Sequence, residues 1–499
     1  MNNEMQCTGV TRRQFLKYVG VGSGMVAGMI ALDACGVQPT QADGRSTFPH
    51  ASSTGKVHVY TLNPAPTQLL VGGHLVSTWA YNGGLPGPEI RVNVGDTLRA
   101  TVNNHVSEGT TIHWHGVPIV NAMDGVDGVT QPAINPGHTF TYHFVVPSAG
   151  TYFYHSHVGL QLDRGLYGPF IVEDPKETKN YDQDVVLLLD DWLDGVPGGP
   201  GNPSAALKQL IAGGDNMSGM NGMGGMGGSM AMQVPPDLLY PLYLINGKAS
   251  DHPFTINVRK GHRIRVRFIN ASAATIYHLA LNGHRMTVTH TDGQPVEPVD
   301  VDTIRIGMGE RYDVLVTANN PGVWQLAAQV EGAKNMTRAL FRYQESTATP
   351  PPADFLPPEL QRNMLTYAML QAAPGTSTPP TGQPDQTLPI QLSGGMGQYV
   401  WKINDQVFSQ ADQIALQKDR LVQFQFSNQS MMPHPMHLHG HFFQVENGTG
   451  RGPIKDTVLV DPMQKVNITW VSDNPGVWAF HCHNAYHQAA GMMRVIKIR

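Results

Sequence analysis

Apolar and polar residues alternate along this chain in short runs of strand length, and one such pattern recurs three times. "YNGGLPGPEIRVNVGDTLRATVNNH" starts at Tyr81, "LINGKASDHPFTINVRKGHRIRVRFINAS" at Leu244 and "KINDQVFSQADQIALQKDRLVQFQFSNQS" at Lys402. Each reads Asn, turn, alternating strand, a Gly or Lys-Asp turn, a second alternating strand, and Asn again. Three closing runs match as well: "GTYFYHSH", "GVWQLAAQ" and "GVWAFHCH". Repetition of this kind predicts an all-β fold of three copies of one Greek-key β-sandwich or barrel domain. The copies fall at residues 45–178, 179–346 and 387–499, and the Pro-rich stretch 347–386 forms a long connection into the third. A connection of that length has a purpose if the third copy folds back against the first.

Composition agrees and narrows the class. A chain of 499 residues exceeds what one core supports, and 54 glycines with 37 prolines suit strands and turns. Charged residues make up 14% and the net charge is −5, so no basic face for nucleic acid is expected. Residues 1–44 read as an address: Arg12 and Arg13 precede a short apolar stretch diluted by glycine, the form of a twin-arginine leader. Export to the periplasm or cell surface follows, with Cys35 in "LDACG" a possible lipid tether. The body is expected to have no transmembrane span and to be a monomer. Of three cysteines, Cys7 and Cys35 belong to the leader or its edge, which leaves Cys482 alone in the body. A lone thiol with no body partner for a disulfide suits a thiolate reserved for metal.

Comparison of the copies exposes the chemistry. His-x-His occurs at 113/115, 155/157, 437/439, 439/441 and 481/483, far more often than 22 histidines scattered over 499 positions would give. On a strand, residues two apart share a face, so each pair presents two imidazoles in one direction. The first copy offers "HWHG" and "HSH", the third "HLHG" and "HCH"; the second has Ala280, Ala327 and Gln329 in matching places. Eight imidazoles divided between the outer copies suit three coppers held at their interface. In "HCH" the strand period sends Cys482 to the opposite face from His481 and His483. The third copy also adds His434, where the first has Thr110, and Ser156, Gln161 and Leu166 stand where Cys482, His487 and Met492 do. A blue copper centre is therefore expected only in the third copy, from His434, Cys482 and His487 with Met492 axial.

"HWHG", "HSH", "HPMHLHGH" and "HCHNAYHQAAGM" resemble the four copper-binding motifs of the multicopper oxidases, of the three-domain laccase type, over essentially the whole body. The resemblance implies three cupredoxin-like domains and four copper ions. It implies one-electron oxidation of a reductant at the type 1 site, with four-electron reduction of O2 to water at a trinuclear cluster. By the same resemblance His113 and His437 bind the type 2 copper. His115, His155 and His483 hold one type 3 copper, and His157, His439 and His481 the other. Asp124, nine residues beyond His115, matches a family acid that feeds protons to reduced oxygen. Two positions depart from the family: Gln488 stands where bacterial relatives often have Glu, and Ser430 replaces an Asp that copper-efflux oxidases place near Met432.

A second feature is "MSGMNGMGGMGGSMAM", with Met217, Met220, Met223, Met226, Met230 and Met232 among glycines. Thioethers in such a loop suit Cu(I), and the segment resembles the Met-rich insertions of copper-efflux oxidases. The reductant expected at the exposed edge of His487 is a small phenol or a metal ion such as Cu(I), Fe(II) or Mn(II). His138, His143, His278, His284 and His290 read as surface or core residues, and His441 as packing behind the cluster. The alternative is an exported copper-binding or copper-tolerance protein with little turnover; a pure buffer would not require Cys482 between two histidines.

Overall fold

The computed structural model describes residues 46–49, 51–213, 236–395 and 397–499. The twin-arginine stretch, Cys35 and the methionines from Met217 to Met232 lie outside these residues. Among the described residues no helix is long and apolar enough to cross a membrane.

Seven sheets form among the described residues, and the repeat seen in the sequence returns as a repeat of strand order. The middle copy has a five-stranded sheet in the order Phe254–Val258, Met336–Tyr343, Val323–Val330, Tyr277–Leu281, Thr303–Ile306. The last copy has the equivalent order Ile414–Leu416, Met493–Ile498, Gly476–Cys482, His434–Leu438, Thr457–Val460. The first copy keeps four of these positions, Ile90–Asn93, Tyr167–Glu173, Gly150–His155 and His113–His115. A six-stranded sheet accompanies the five-stranded one in each of the last two copies, and among the described residues no strand pairing joins one copy to another. Inward-facing Val, Ile, Leu and aromatic side chains of the paired sheets are buried together, as alternation requires.

Pairing explains where the histidines meet. In the first copy His113 lies opposite His155 across adjacent antiparallel strands. In the last, His437 lies opposite His481 and Met436 opposite Cys482. Each outer copy thus brings its two His-x-His motifs together across neighbouring strands of one sheet, with His157, His439 and His483 just past the strand ends.

The stretch 347–386 is more ordered than a plain connection. Short 3-10 turns at Pro358–Gln361 and Tyr367–Met369 punctuate it, and Leu360, Leu365 and Leu370 are buried. Leu360 packs on Ala280 and Ala327, so the space where the middle copy lacks ligands is filled by apolar carbon. Helix Pro203–Gly213 has no counterpart among the strands expected from the sequence.

Candidate metal centre

Two groups of buried donors form. The first lies on the face of strand Gly476–Cys482 that carries Cys482. Its Sγ is 3.6 Å from Nδ1 of His434 and 3.6 Å from Nδ1 of His487, and the two nitrogens are 3.1 Å apart. The outer nitrogen of each imidazole is already engaged: His434 Nε2 donates to Ser430 Oγ at 2.7 Å and His487 Nε2 to Asp237 Oδ2 at 2.6 Å. With those protons placed, both Nδ1 atoms turn lone pairs towards the sulfur. Burial pushes the Cys482 thiol far up, so a thiolate here needs a cation beside it. Met492 is fully buried, and its backbone bonds to those of both Cys482 and His487. Asn484 caps helix Ala485–Ala489, accepting from the amides of Tyr486 and His487, which sets His487 one turn beyond the strand.

The corresponding place in the first copy bears out the alignment. Thr110 Oγ1 and Ser156 Oγ both donate to Gln161 Oε1, at 2.8 and 2.7 Å. A hydrogen-bonded triad occupies the position of the metal-ligand triad.

The second group gathers all eight predicted imidazoles between the outer copies. His113 Nε2 and His437 Nε2 are 3.4 Å apart, His157 Nε2 and His481 Nε2 3.3 Å, and His439 Nε2 and His481 Nε2 3.0 Å. The rings of His115 and His155 lie 4.8 and 5.3 Å from that of His483. Second partners again set the tautomers: Nδ1 of His113, His155, His437 and His481 each donates to a backbone carbonyl at 2.9 Å. That leaves Nε2 facing inward in those four. His115 is reversed, because its Nε2 donates to the Asp456 carboxylate at 3.2 Å. Its Nδ1, with Nε2 of His155 and both nitrogens of His483, is buried without a hydrogen-bond partner. Unpaired buried polar atoms are costly, and their convergence fits a metal cluster. Burial, followed by the neighbouring imidazoles, pushes His115, His155, His157, His439 and His483 well below the usual histidine range, and His481 to about 3. Neutral imidazoles with free lone pairs are what a cation needs.

Asp124 is buried against two of these imidazoles. Its carboxylate is 3.1 Å from His439 Nδ1 and 3.3 Å from His113 Nδ1. His441 packs on Trp470 and Trp478 and bonds the carbonyl of His439, so it supports and does not converge. His278 bonds Glu331 and His284 bonds Tyr343, and neither histidine joins either group.

Several site residues were missed. Asp237 and Trp401 close over His487, with ring centroids of Trp401 and His487 4.1 Å apart, and Tyr399 donates to the same Asp237 oxygen at 3.0 Å. The expected exposed edge of His487 is thereby covered, and His487 is fully buried. Ser430, read as a lost acid, is the hydrogen-bond partner of His434. Asp456 and Arg311 were not singled out, since one acid in "IKDTVLV" and one arginine in "GERYDV" look like any strand-end charge.

A chain of three cupredoxin-like β-sandwich copies, with one thiolate–imidazole triad and one eight-imidazole cluster, is a copper protein built for electron transfer to a buried cluster. Multicopper oxidase family profiles match residues 65–177, 183–346 and 381–499. The chain is 42% identical to "Multicopper oxidase MmcO" of Mycobacterium tuberculosis, over 96% of each. It is 29% identical to "Copper resistance protein A" of Escherichia coli, over 98% of this chain and 99% of that one. Among solved structures, a laccase from Botrytis aclada matches with a TM-score of 0.72 at 26% identity, over 90% of this chain and 88% of that one. A metallo-oxidase from Campylobacter jejuni shares the fold, with a TM-score of 0.67 at 23% identity over 91% and 94%. This chain belongs to the multicopper oxidase family and is a copper-dependent oxidoreductase with oxygen as acceptor.

Proposed function

We propose that the protein carries four coppers and oxidises a small cationic reductant, Cu(I) foremost, at the Cys482 site. His434, Cys482, His487 and Met492 would hold the type 1 copper. His113 and His437 would hold type 2; His115, His155 and His483 one type 3 ion, and His157, His439 and His481 the other. Copper supplies one-electron redox chemistry and the binding of oxygen. Cys482 ends the strand Gly476–Cys482 and stands between His481 and His483 in the chain, so the backbone of a single residue links the two sites. Asp124, buried beside His439 and His113, is placed to pass protons to the cluster, as the reduction of oxygen to water requires.

The observation that carries the substrate assignment is the small cleft at Asp237, whose carboxylate accepts from His487 Nε2 at 2.6 Å. It measures about 30 Å³ and is lined by Asp237, Glu331, Met308 and Met432 among others. Two acids and two methionines are residue types that suit a small, soft cation, with Glu331 also held by Arg305 and His278. The methionines from Met217 to Met232 lie just before Asp237 in the chain, which supports a role in gathering Cu(I). Similarity to a relative called a copper resistance protein favours the same substrate. Twin-arginine export with Cys35 as a lipid tether, a monomeric state, and domain limits at 45–178, 179–346 and 387–499 complete the proposal.

Excision of residues 217–232 tests it. Blue colour should survive, turnover of Cu(I) at low concentration should fall several-fold, and oxidation of a diphenol should hold or rise. Equal effects on both substrates would favour a plain laccase.

A further inference from the structure

The middle copy holds none of the predicted copper ligands, yet it sends one charged side chain into the eight-histidine cluster's wall. Arg311 opens strand Arg311–Thr317 and is fully buried. Its guanidinium touches all three copies. Nε donates to the carbonyl of Thr151 at 3.0 Å, in the first copy's histidine-bearing sheet. Nη1 donates to Gly309 O at 2.9 Å within the middle copy, and Nη1 and Nη2 clasp the two oxygens of Asp456, in the third copy, at 2.7 and 2.6 Å. Asp456 lies at the corner between Ile454–Lys455 and Thr457–Val460, which belong to different sheets.

Asp456 in turn governs two of the cluster's imidazoles. Its carboxylate accepts from His115 Nε2 at 3.2 Å, and its backbone carbonyl accepts from His437 Nδ1 at 2.9 Å. The backbone at that corner is also held from the middle copy: the amides of Asp456 and Thr457 both donate to Asp292 Oδ2 at 3.2 Å, and Asp292 Oδ1 accepts from the Arg311 amide at 2.9 Å. His115 is the imidazole whose inward atom is Nδ1 and not Nε2, and a carboxylate can only accept, so the proton on Nε2 is set by Asp456. A carboxylate buried this deeply keeps its charge and its orientation only with a partner that matches both oxygens.

We infer that Arg311 is a positioning residue for the trinuclear site: through its two-point grip on Asp456 it fixes the tautomer of His115 and the orientation of His115 and His437. This rests on the ligand assignment proposed above. It also gives the ligand-free middle copy a role, that of a brace whose charge reaches the seam between the outer copies. The glycine of "HWHG" fits the same arrangement, since a Cβ on Gly116 would lie 2.3 Å from Arg311 Nη2 and 2.4 Å from Asp456 Oδ2.

The test compares Arg311→Lys and Arg311→Met with Arg305→Met in the copper-loaded full chain. Arg305 also bridges the middle and last copies, donating to Asp461 at 2.7 and 2.9 Å, but it bonds none of the eight histidines. The readouts are copper per chain after graded chelator treatment, the type 2 electron paramagnetic resonance signal, the blue absorption of the Cys482 site, and the unfolding midpoint. Both Arg311 variants should stay blue, change the type 2 signal, and lose cluster copper at roughly 10- to 100-fold lower chelator concentration, the usual effect of removing such a support. Lysine should not rescue, because a single ammonium cannot match two oxygens in a plane. Arg305→Met should lower the midpoint and leave copper retention unchanged. Retention by the Arg311 variants equal to wild type, with only the midpoint lowered, would overturn the inference. If Arg311 variants form no blue protein, Asp456→Asn decides by the same readouts, since it keeps the shape but not the anion; wild-type retention there would overturn the inference equally. A wild-type protein that binds no cluster copper would instead overturn the ligand assignment, and the inference with it.

Discussion

An imidazole that gives its outer nitrogen to a carboxylate is more electron-rich than one open to water, and His487 is of the first kind. Asp237 Oδ2 lies 2.6 Å from its Nε2, and the side chain of Asp237 is nearly as buried as the imidazole. An anion so close favours the more positive oxidation state of a metal bound at Nδ1. Asp237→Asn should therefore raise the potential of the blue site by some tens of millivolts, since about 59 mV corresponds to a tenfold change for one electron. Redox titration of the blue band measures this; an unchanged or lower potential would mean that Asp237 does not act on the metal through His487. If the carboxylate also draws in the cation, the same variant should raise KM for Cu(I) more than for a diphenol. His434, Cys482, His487 and Met492 were legible from residue types and spacing. Asp237 was not, because nothing local marks one aspartate some 250 positions from its partner.

Among elements, the short strand His113–His115 and the turn after it show why a motif includes residues that bind nothing. Gly116 has a φ of +80°, and an added Cβ would meet the Arg311–Asp456 pair at 2.3–2.4 Å. Gly55 has the same φ of +80° with nothing within 4 Å of an added Cβ. Gly55→Ala should thus show only the backbone cost, about 1 kcal/mol, whereas Gly116→Ala should cost a further 1–3 kcal/mol or so from displaced atoms. Unfolding midpoints of the two variants check this, and Gly116→Ala alone should also weaken copper retention by the cluster. Equal midpoints would show that the Arg311 guanidinium moves aside at little cost. The glycine of "HLHG" has a different neighbour: a Cβ on Gly440 would strike the Trp478 ring at 2.4 Å. One sequence signal therefore has two physical causes, which only packing distinguishes.

At the scale of the whole molecule, the junction of the three copies buries acids as well as histidines. Asp163 from the first copy and Asp190 and Asp191 from the second are all buried. Burial, then the Asp191 charge, raises Asp163 and Asp190 well above the carboxylate range, and burial pushes Asp191 up to about 6. Tyr240 and Tyr486 donate to Asp163, and Tyr167 to Asp190. Raised acids contribute stability that is fully present below their unfolded value, about 4, and is lost as pH rises through the folded value. Asp190→Asn should remove part of that loss. Its apparent unfolding midpoint should match wild type near pH 4 and exceed it by a margin that grows as pH rises from there. A gap that is constant with pH would mean that Asp190 is not the titrating group.

The sequence by itself determined the three copies, the all-β class, the eight histidines divided between the outer copies and the position of the thiolate, because each depends on local periodicity. Strand spacing places His113 with His115, and Cys482 opposite His481, whatever the rest of the chain does, while His483 lies just past the strand end. It also showed the middle copy to lack ligands at Ala280 and Ala327, and the structure fills that space with Leu360. Tertiary structure alone decided the second layer of contacts. Asp237 on His487, Ser430 on His434, and Arg311 through Asp456 on His115 are single polar residues whose partners lie in other strands or other copies. Most of these pairs are far apart in the chain, and none follows a period. Hydrogen bonds of this kind form once the copies have packed, so their residues look ordinary until folding places them beside a ligand.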